Sequence, residues 1–286
     1  MRYLPGYTIK PYNTTILGEV LFTDGTNNEI RANQTTCEAY GYTYDRASDS
    51  CSAFNYSTKL VKQADNVNNK INGFANTTET GTNTVQINGT NNTTNGNNND
   101  CFINGSDNEI ANGVNNSIAI GRLADATANN SLVLGGNAID DTLGERQSIT
   151  IMFGITTTDA SATRAYVNNT ANETGFEVPD NTVVLFETQT IGVRVGHPGG
   201  GAAPAGSVGD RKCFTDVGTA ISKSGTLSIV TASTTVSDVG TTTGWASTVG
   251  VAGTQLQQGV TGGLNMTIKW ATTMKITQLK ALVTIP

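Results

Sequence analysis

The chain has 286 residues, of which 14% are charged and 6% aromatic, with a net charge of −6. No cluster of Lys or Arg supplies the electrostatic footprint of a nucleic-acid binder, and no segment reaches the ~18 apolar residues of a membrane span, so neither nucleic acid nor membrane insertion is expected. Asn, Thr and Gly are abundant, which suits turns and strands better than helices and predicts an all-β chain.

Residues 1–62 hold most of the tyrosines (Tyr3, Tyr7, Tyr12, Tyr40, Tyr42, Tyr44, Tyr56) and short extended runs such as Ile16–Phe22. This predicts a small β-rich region whose tyrosines serve packing or an interface, two readings the sequence leaves open. The N-terminal Met1–Tyr7 stretch has no apolar run of seven, so no secretory leader is expected. A hairpin over 38–50 would bring Cys37 and Cys51 together, whereas assembly in cytosol would keep both as thiols. The four cysteines, with Cys101 and Cys213, form no C-x-x-C pair and His197 is the only histidine, so no metal and no cofactor is expected.

Residues 63–143 follow a fixed period. The stretch 63–137 holds 21 of the 31 asparagines and only two basic residues, Lys70 and Arg122, a composition that on its own would suit disorder. Against that stand glycine-ended apolar phrases, Ile71-Asn72-Gly73, Val85–Gly89, Phe102–Gly105, Ile118–Gly121 and Leu132–Gly135, whose glycines step by 16, 16, 16 and 14 residues. Such a repeat is too short for a helical pair and fits one coil of a parallel β-solenoid, with Gly73, Gly89, Gly105, Gly121 and Gly135 taking left-handed turns. Stacked asparagines would form amide ladders. Five coils would make a rod of roughly 25 Å. A coil this thin buries little by itself, which favours packing against identical copies, most simply as a homotrimer.

From 144 to 286 the chain reads as alternating strands with Thr-rich outer faces, a predicted β-sandwich or jelly roll. Val183–Val195 is one long strand. In 264–270 the alternation puts Leu264, Met266, Ile268 and Trp270 on one face.

The phrases Asn115–Gly121 and Asn129–Gly135 resemble the coils of the YadA-like head of trimeric autotransporter adhesins, a left-handed β-roll that also occurs in phage fibres. Residues 145–280 resemble a C-terminal domain of phage tail-fibre and related virion proteins, through Arg146–Ile149, Thr158-Asp159, Val178–Thr182, Phe186-Glu187, Gly192, Gly209–Phe214, Val260–Gly262 and Thr267–Trp270. These resemblances imply a homotrimeric virion subunit, assembled in the host cytoplasm. Residues 1–62 would dock on other virion proteins, the solenoid would project, and the last domain would meet a host glycan or protein. A capsid decoration protein or head fibre is the alternative. A glycan-cleaving tailspike is the third reading, and the chain is expected not to be an enzyme.

No catalytic residues are expected. His197 lies in a Gly-rich run without a nucleophile motif, and that run lacks the Gly-Lys-Ser/Thr ending of a phosphate loop. Asp100, Asp107 and Glu109 read as solvated turns of the solenoid rather than a calcium site or a glycosidase pair. Loops 196–210 and 238–248 are the candidate contact surface, with His197 and Trp245 as its contact residues, although Trp245 equally suits a core.

Overall fold

A computed structural model describes residues 5–6, 8–15, 18–46, 48–53, 68–137, 139–140, 142–167, 175–198 and 204–281. The chain divides into two compact units, Met1–Asp65 and Asn66–Pro286. Among the described residues no helix is long and apolar enough to cross a membrane.

In the first unit, β1 (Lys10–Thr14) pairs antiparallel with β2 (Val20–Thr23), and β3 (Thr43–Asp45) pairs with β4 (Ser50–Ser52). Between them sits a short helix, α1 (Gln34–Ala39), which the composition did not announce. Asn33 caps it by accepting from the Thr36 N–H at 2.9 Å. Cys37 on α1 and Cys51 on β4 form a disulfide, so of the two states left open the bonded one is found. Both sulfurs are buried beside Val20, Phe22 and Ala32. Tyr40 and Tyr42 meet the Phe22 ring edge-on, at 5.8 and 6.4 Å. Tyr40 also donates to the Ile9 carbonyl at 2.8 Å, so both rings pack, while Tyr12 is exposed. Tyr3, Tyr7 and Tyr56 lie outside the described residues.

The second unit opens with the solenoid. Strands β5 (Lys70–Phe74), β7 (Gln86–Thr90), β9 (Phe102–Ser106), β11 (Ile118–Arg122) and β13 (Ser131–Gly135) stack in parallel register, Gly73 on Gly89 on Gly105 on Gly121 on Gly135. Shorter strands β6 (Thr77–Thr78), β8 (Thr93–Thr94), β10 (Glu109–Ile110) and β12 (Asp125–Ala126) form the opposite wall. The five phrases thus enclose four turns, not five coils.

One column of asparagines holds the turns together. Asn92 donates to the Asn76 carboxamide at 3.0 Å and to the Gly105 carbonyl at 2.9 Å, and accepts from the Asn108 backbone and side chain at 3.1 and 3.0 Å. Asn108 repeats the pattern onto the Gly121 carbonyl and the Ala124 N–H, both at 2.9 Å. Asn92 and Asn108 are buried, and the ladder satisfies backbone groups that would otherwise be orphaned inside the coil.

The turn glycines answer to crowding as well as to dihedral. Gly89 has φ +127°, and a Cβ there would lie 1.8 Å from the Gly105 carbonyl oxygen of the next coil. Gly135 differs from the expectation: it does not take a positive φ. Its need is space, since a Cβ would lie 2.4 Å from the Arg122 carbonyl oxygen.

The period shortens to 14 where the interior shrinks. Inward positions read Ile103, Asn108, Ile110 and Val114 in one turn, and Ala119, Ala124, Ala126 and Ala128 at the equivalent places of the next, all buried. A coil with two fewer residues encloses less volume, and only small side chains fill it without overpacking.

Beyond the solenoid, β14 (Arg146–Thr157) pairs antiparallel with β13, so the sheet continues without a break across residue 144. It extends through β22 (Thr267–Lys280), β17 (Thr182–Gly196), β18 (Arg211–Lys223) and β19 (Thr226–Val239), ten strands in all. The predicted long strand over 183–195 lies within β17. A second sheet, of β15 (Ala162–Arg164), β16 (Gly175–Glu177), β20 (Ala246–Ala252) and β21 (Gln255–Thr261), packs across a core of Ile149, Phe153, Phe186, Phe176, Val249 and Leu256. Met266, Ile268 and Trp270 face inward as the alternation predicts. Leu264 does not: it sits in the turn before β22 and is 68% exposed.

Two stability outcomes follow. Asn92→Ala is expected to cost about 2 kcal/mol or more, because it leaves buried amide and carbonyl groups unpaired. Asn88→Ala, which loses only an outward bond from Asn72, is expected to cost about 0.5 kcal/mol; urea titration of both variants checks the difference. In the first unit, Cys37→Ser should destabilise by about 3 kcal/mol through loss of a 14-residue loop closure, read as a lowered melting transition that reductant reproduces in the parent protein.

Candidate functional site

The loops expected to form the contact surface gather at one end of the large sheet. Register places Gly196 opposite Thr267, Val193 opposite Arg211, and Arg211 opposite Val239. The end of β17, the start of β18, the end of β19 and the start of β22 therefore lie side by side. This end exposes Val195, Val208, Val239 and Leu264. His197 follows β17, with its Nδ1 3.1 Å from the Asn265 carbonyl oxygen. Residues 199–203 of the expected loop lie outside the described residues.

Trp245 is not a contact residue. It is 3% exposed and packs edge-on against Trp270 at 5.6 Å, in a cluster with Phe214, Met266 and Ile268. An indole this large is worth more in the core than at the rim, and the small neighbours Gly244 and Ala246 let the chain turn it inward.

The loop after β17 is clamped from inside. Arg194, 5% exposed, donates to the Ala205 carbonyl at 2.8 Å and lies 3.7 Å from the Asp210 carboxylate, which accepts from the Ser207 N–H at 2.9 Å. A Cβ at Gly206 or Gly240 would lie 2.2 or 2.1 Å from that carboxylate. At the surface beside it, Lys212 pairs with Asp238 at 3.0 Å. A hydrogen bond from Thr242, then the one from Lys212, holds the Asp238 carboxyl below the usual range. Two of the residues that carry the resemblance therefore act as scaffold. Asp210 anchors the loop, and Gly192 leaves room for the Trp270 ring, which a Cβ would approach to 2.4 Å.

A second surface is the outer face of the ten-stranded sheet. Leu134 stands in one row with Ser148, Thr277, Leu185, Thr219 and Val230. Leu185 is 58% and Met152 60% exposed, and Ile118, Leu132, Leu134 and Leu279 are also open. On this face the exposed Leu, Ile and Met side chains stand among polar ones such as Ser148, Lys275 and Thr277.

Asp100, Asp107 and Glu109 each engage a different partner. Asp100 accepts from Thr84 at 2.7 Å, and Asp107 pairs with Arg122 at 3.3 Å. Glu109 takes the Asn95 amide. Among the described residues no group of three or more His, Cys, Asp or Glu is placed to hold a metal. Sequence reading missed the neighbour that matters, Asp125. The parallel register sets it beside Glu109, a relation signalled by their 16-residue spacing. Burial first, then the Glu109 charge, pushes the Asp125 carboxyl up to about 6, against an opposing pull from Lys280.

No family model matches the chain, and none of the curated proteins does. Among solved structures it aligns with the tailspike protein gp49 of Acinetobacter baumannii bacteriophage Fri1, a capsular polysaccharide depolymerase, at 8% identity and a TM-score of 0.29, covering 73% of this chain and 46% of that one. It also aligns with the tailspike of Acinetobacter phage vB_ApiP_P1, at 10% identity and a TM-score of 0.19, covering 74% of this chain and 46% of that one. The chain thus spans less than half the length of either. The expectation that the chain is not an enzyme is corrected on this finding, because the first of these neighbours is a depolymerase.

The Asp125 shift sets a pH dependence. Its folded value lies above the ordinary 3.8, so the stability it contributes is full below that value and is lost as pH rises through about 6. Asp125→Asn is expected to stabilise the second unit at pH 7.5 by up to about 3 kcal/mol and to give no gain near pH 3.5, measured as thermal midpoints across that range.

Proposed function

We propose that this chain is a structural subunit of a bacteriophage virion, a homotrimeric tail fibre or spike. In this reading residues 1–62 dock on other virion proteins and the solenoid of 63–143 projects from the particle. The β-sandwich or jelly roll of 144–286 meets a host-surface glycan or protein.

The observation that carries the trimer is the outer sheet face. Each coil interior is already filled, yet Ile118, Leu132, Leu134, Met152 and Leu185 point the other way, into solvent. Covering a side chain of this kind is worth about 1.5–3 kcal/mol, and a row that runs from the solenoid into the last domain suits a copy of itself aligned along the same axis. The contact role of the far end is supported by Val195, exposed near the end of β17, and by Val208 and Leu264, exposed on the adjoining loops. The word bacteriophage rests on the resemblance of the Asn-Asn-Ser repeats and of residues 145–280 to fibre proteins.

Sedimentation equilibrium at micromolar concentration should give about three times the 29.9 kDa chain mass. The double variant Leu134→Asp, Leu185→Asp should fall to the mass of one chain while keeping its β-sheet circular dichroism. A parent protein that sediments as a monomer would overturn the trimer. Imaging of the intact particle separates the tail fibre from the capsid decoration protein or head fibre by where the subunit sits.

A further inference from the structure

Two hollows lie where the solenoid turns approach the second sheet, and Val167 is a wall of both. The first, of about 280 Å³, is lined by Asn112, Thr127 and Asn129 from the turns after β10 and β12, and by Glu177 and Gln255 from the sheet. The second, of about 430 Å³, is lined by Tyr166 and by Asn116 and Asn130, which lead into β11 and β13. The Asn130 amide donates to the Val167 carbonyl and holds the rib between them.

Both walls are held in place by bonds of their own, a condition for a preorganised site. The Asn112 amide donates to the Asn95 carbonyl at 2.8 Å and the Gly113 N–H to the Gly96 carbonyl at 2.9 Å, so this turn is tied to the coil before it. Register sets Glu177 on β16 opposite Gln255 on β21. One Glu177 oxygen takes the Thr254 hydroxyl at 3.1 Å, which leaves the other for a ligand. Tyr166 is fixed through its backbone, paired in both directions with Gly154 at 2.9 and 3.1 Å.

These groups select a class of ligand. No Lys, Arg or His lines either hollow, and Glu177 brings a negative charge, which disfavours phosphate and uronate groups. Amide and carboxylate heads are poor walls for a lipid or an aliphatic chain. They match a ligand that presents hydroxyls all round, because the carboxylate accepts O–H hydrogens while the amides both give and take. Tyr166 adds a flat apolar face with a polar tip, suited to the C–H face of a sugar ring. Neither volume goes far beyond the ~300 Å³ lower end of small-molecule sites, so each suits one ring. We propose that this cleft binds a neutral saccharide, one ring between Glu177, Gln255 and Asn129 and a second against Tyr166. The cleft shares no residue with the loops 196–210 and 238–248. It rests on the host-contact reading only in taking the sugar from a surface glycan.

Saturation-transfer NMR on the full chain tests this, with glucose, galactose, mannose and N-acetylglucosamine as neutral probes and glucuronate and glucose 6-phosphate as charged ones. At least one neutral sugar should bind, and the charged sugars should bind more weakly than it does. Glu177→Ala and Gln255→Ala, both at the surface of the sheet, should each weaken that binding about tenfold. Val208→Asp at the far end should leave it unchanged. Binding that survives both cleft variants but falls with Val208→Asp would overturn the cleft and leave the far-end contact standing. No signal from any neutral sugar, or an equal signal from the charged ones, would also overturn it. A chain that sediments as a monomer yet binds sugar in the expected pattern supports the cleft while the trimer fails.

Discussion

Backbone groups turned into the coil interior need partners, and the buried asparagine column supplies them. Asn76, Asn92 and Asn108 each reach a glycine carbonyl of the next coil, and the glycines must be bare for that carbonyl to come so close. Register follows from this pairing: a one-residue slip would strand every amide and press a Cβ into the neighbouring backbone. With register fixed, β13 presents a straight edge to β14, and the rest of the large sheet is laid down from it.

The continuity of that sheet explains why the solenoid and the last domain do not part into separate bodies. Gln147 on β14 accepts from the Asp125 N–H at 2.9 Å and donates to its carbonyl at 3.2 Å, closing the open end of the shorter wall. Gln278 on β22 reaches the Gly144 carbonyl at 2.7 Å. A solenoid end left bare exposes unpaired strands, and here antiparallel strands and two glutamines cover it.

Much of this was legible in the sequence because a stacked coil writes its geometry as a period. The in-register glycines and the amide ladder both follow from the 16-residue spacing, and β17 follows from alternation. Where reading failed, the signal was not local. Leu264 fits the alternation, but Asn265 takes φ +57° and ends the strand before it. Trp245 sits between glycine and alanine in a turn-like stretch, and only the packing of Trp270 and Phe214 shows which way it faces. The buried polar residues Thr188, Thr190, Asp216, Ser247, Gln258 and Thr272 come from five strands, β17, β18, β20, β21 and β22, with no motif to mark them. Asp125 gains its character from burial and then from Glu109, one coil away, a neighbour visible only once the period is taken as a distance.

The taper of the solenoid has a consequence for how such a chain can vary. The last turn is alanine-lined and matched to β14, so it is committed to its place. The turns before it share 16 residues and the same ladder, and each offers the next the surface it received. Gain or loss of one such unit would lengthen or shorten the solenoid by a single step of roughly 4.8 Å without disturbing the junction with the last domain. Reach is then a quantity set in whole increments by copying a short stretch of chain, independent of whatever surface lies at the far end.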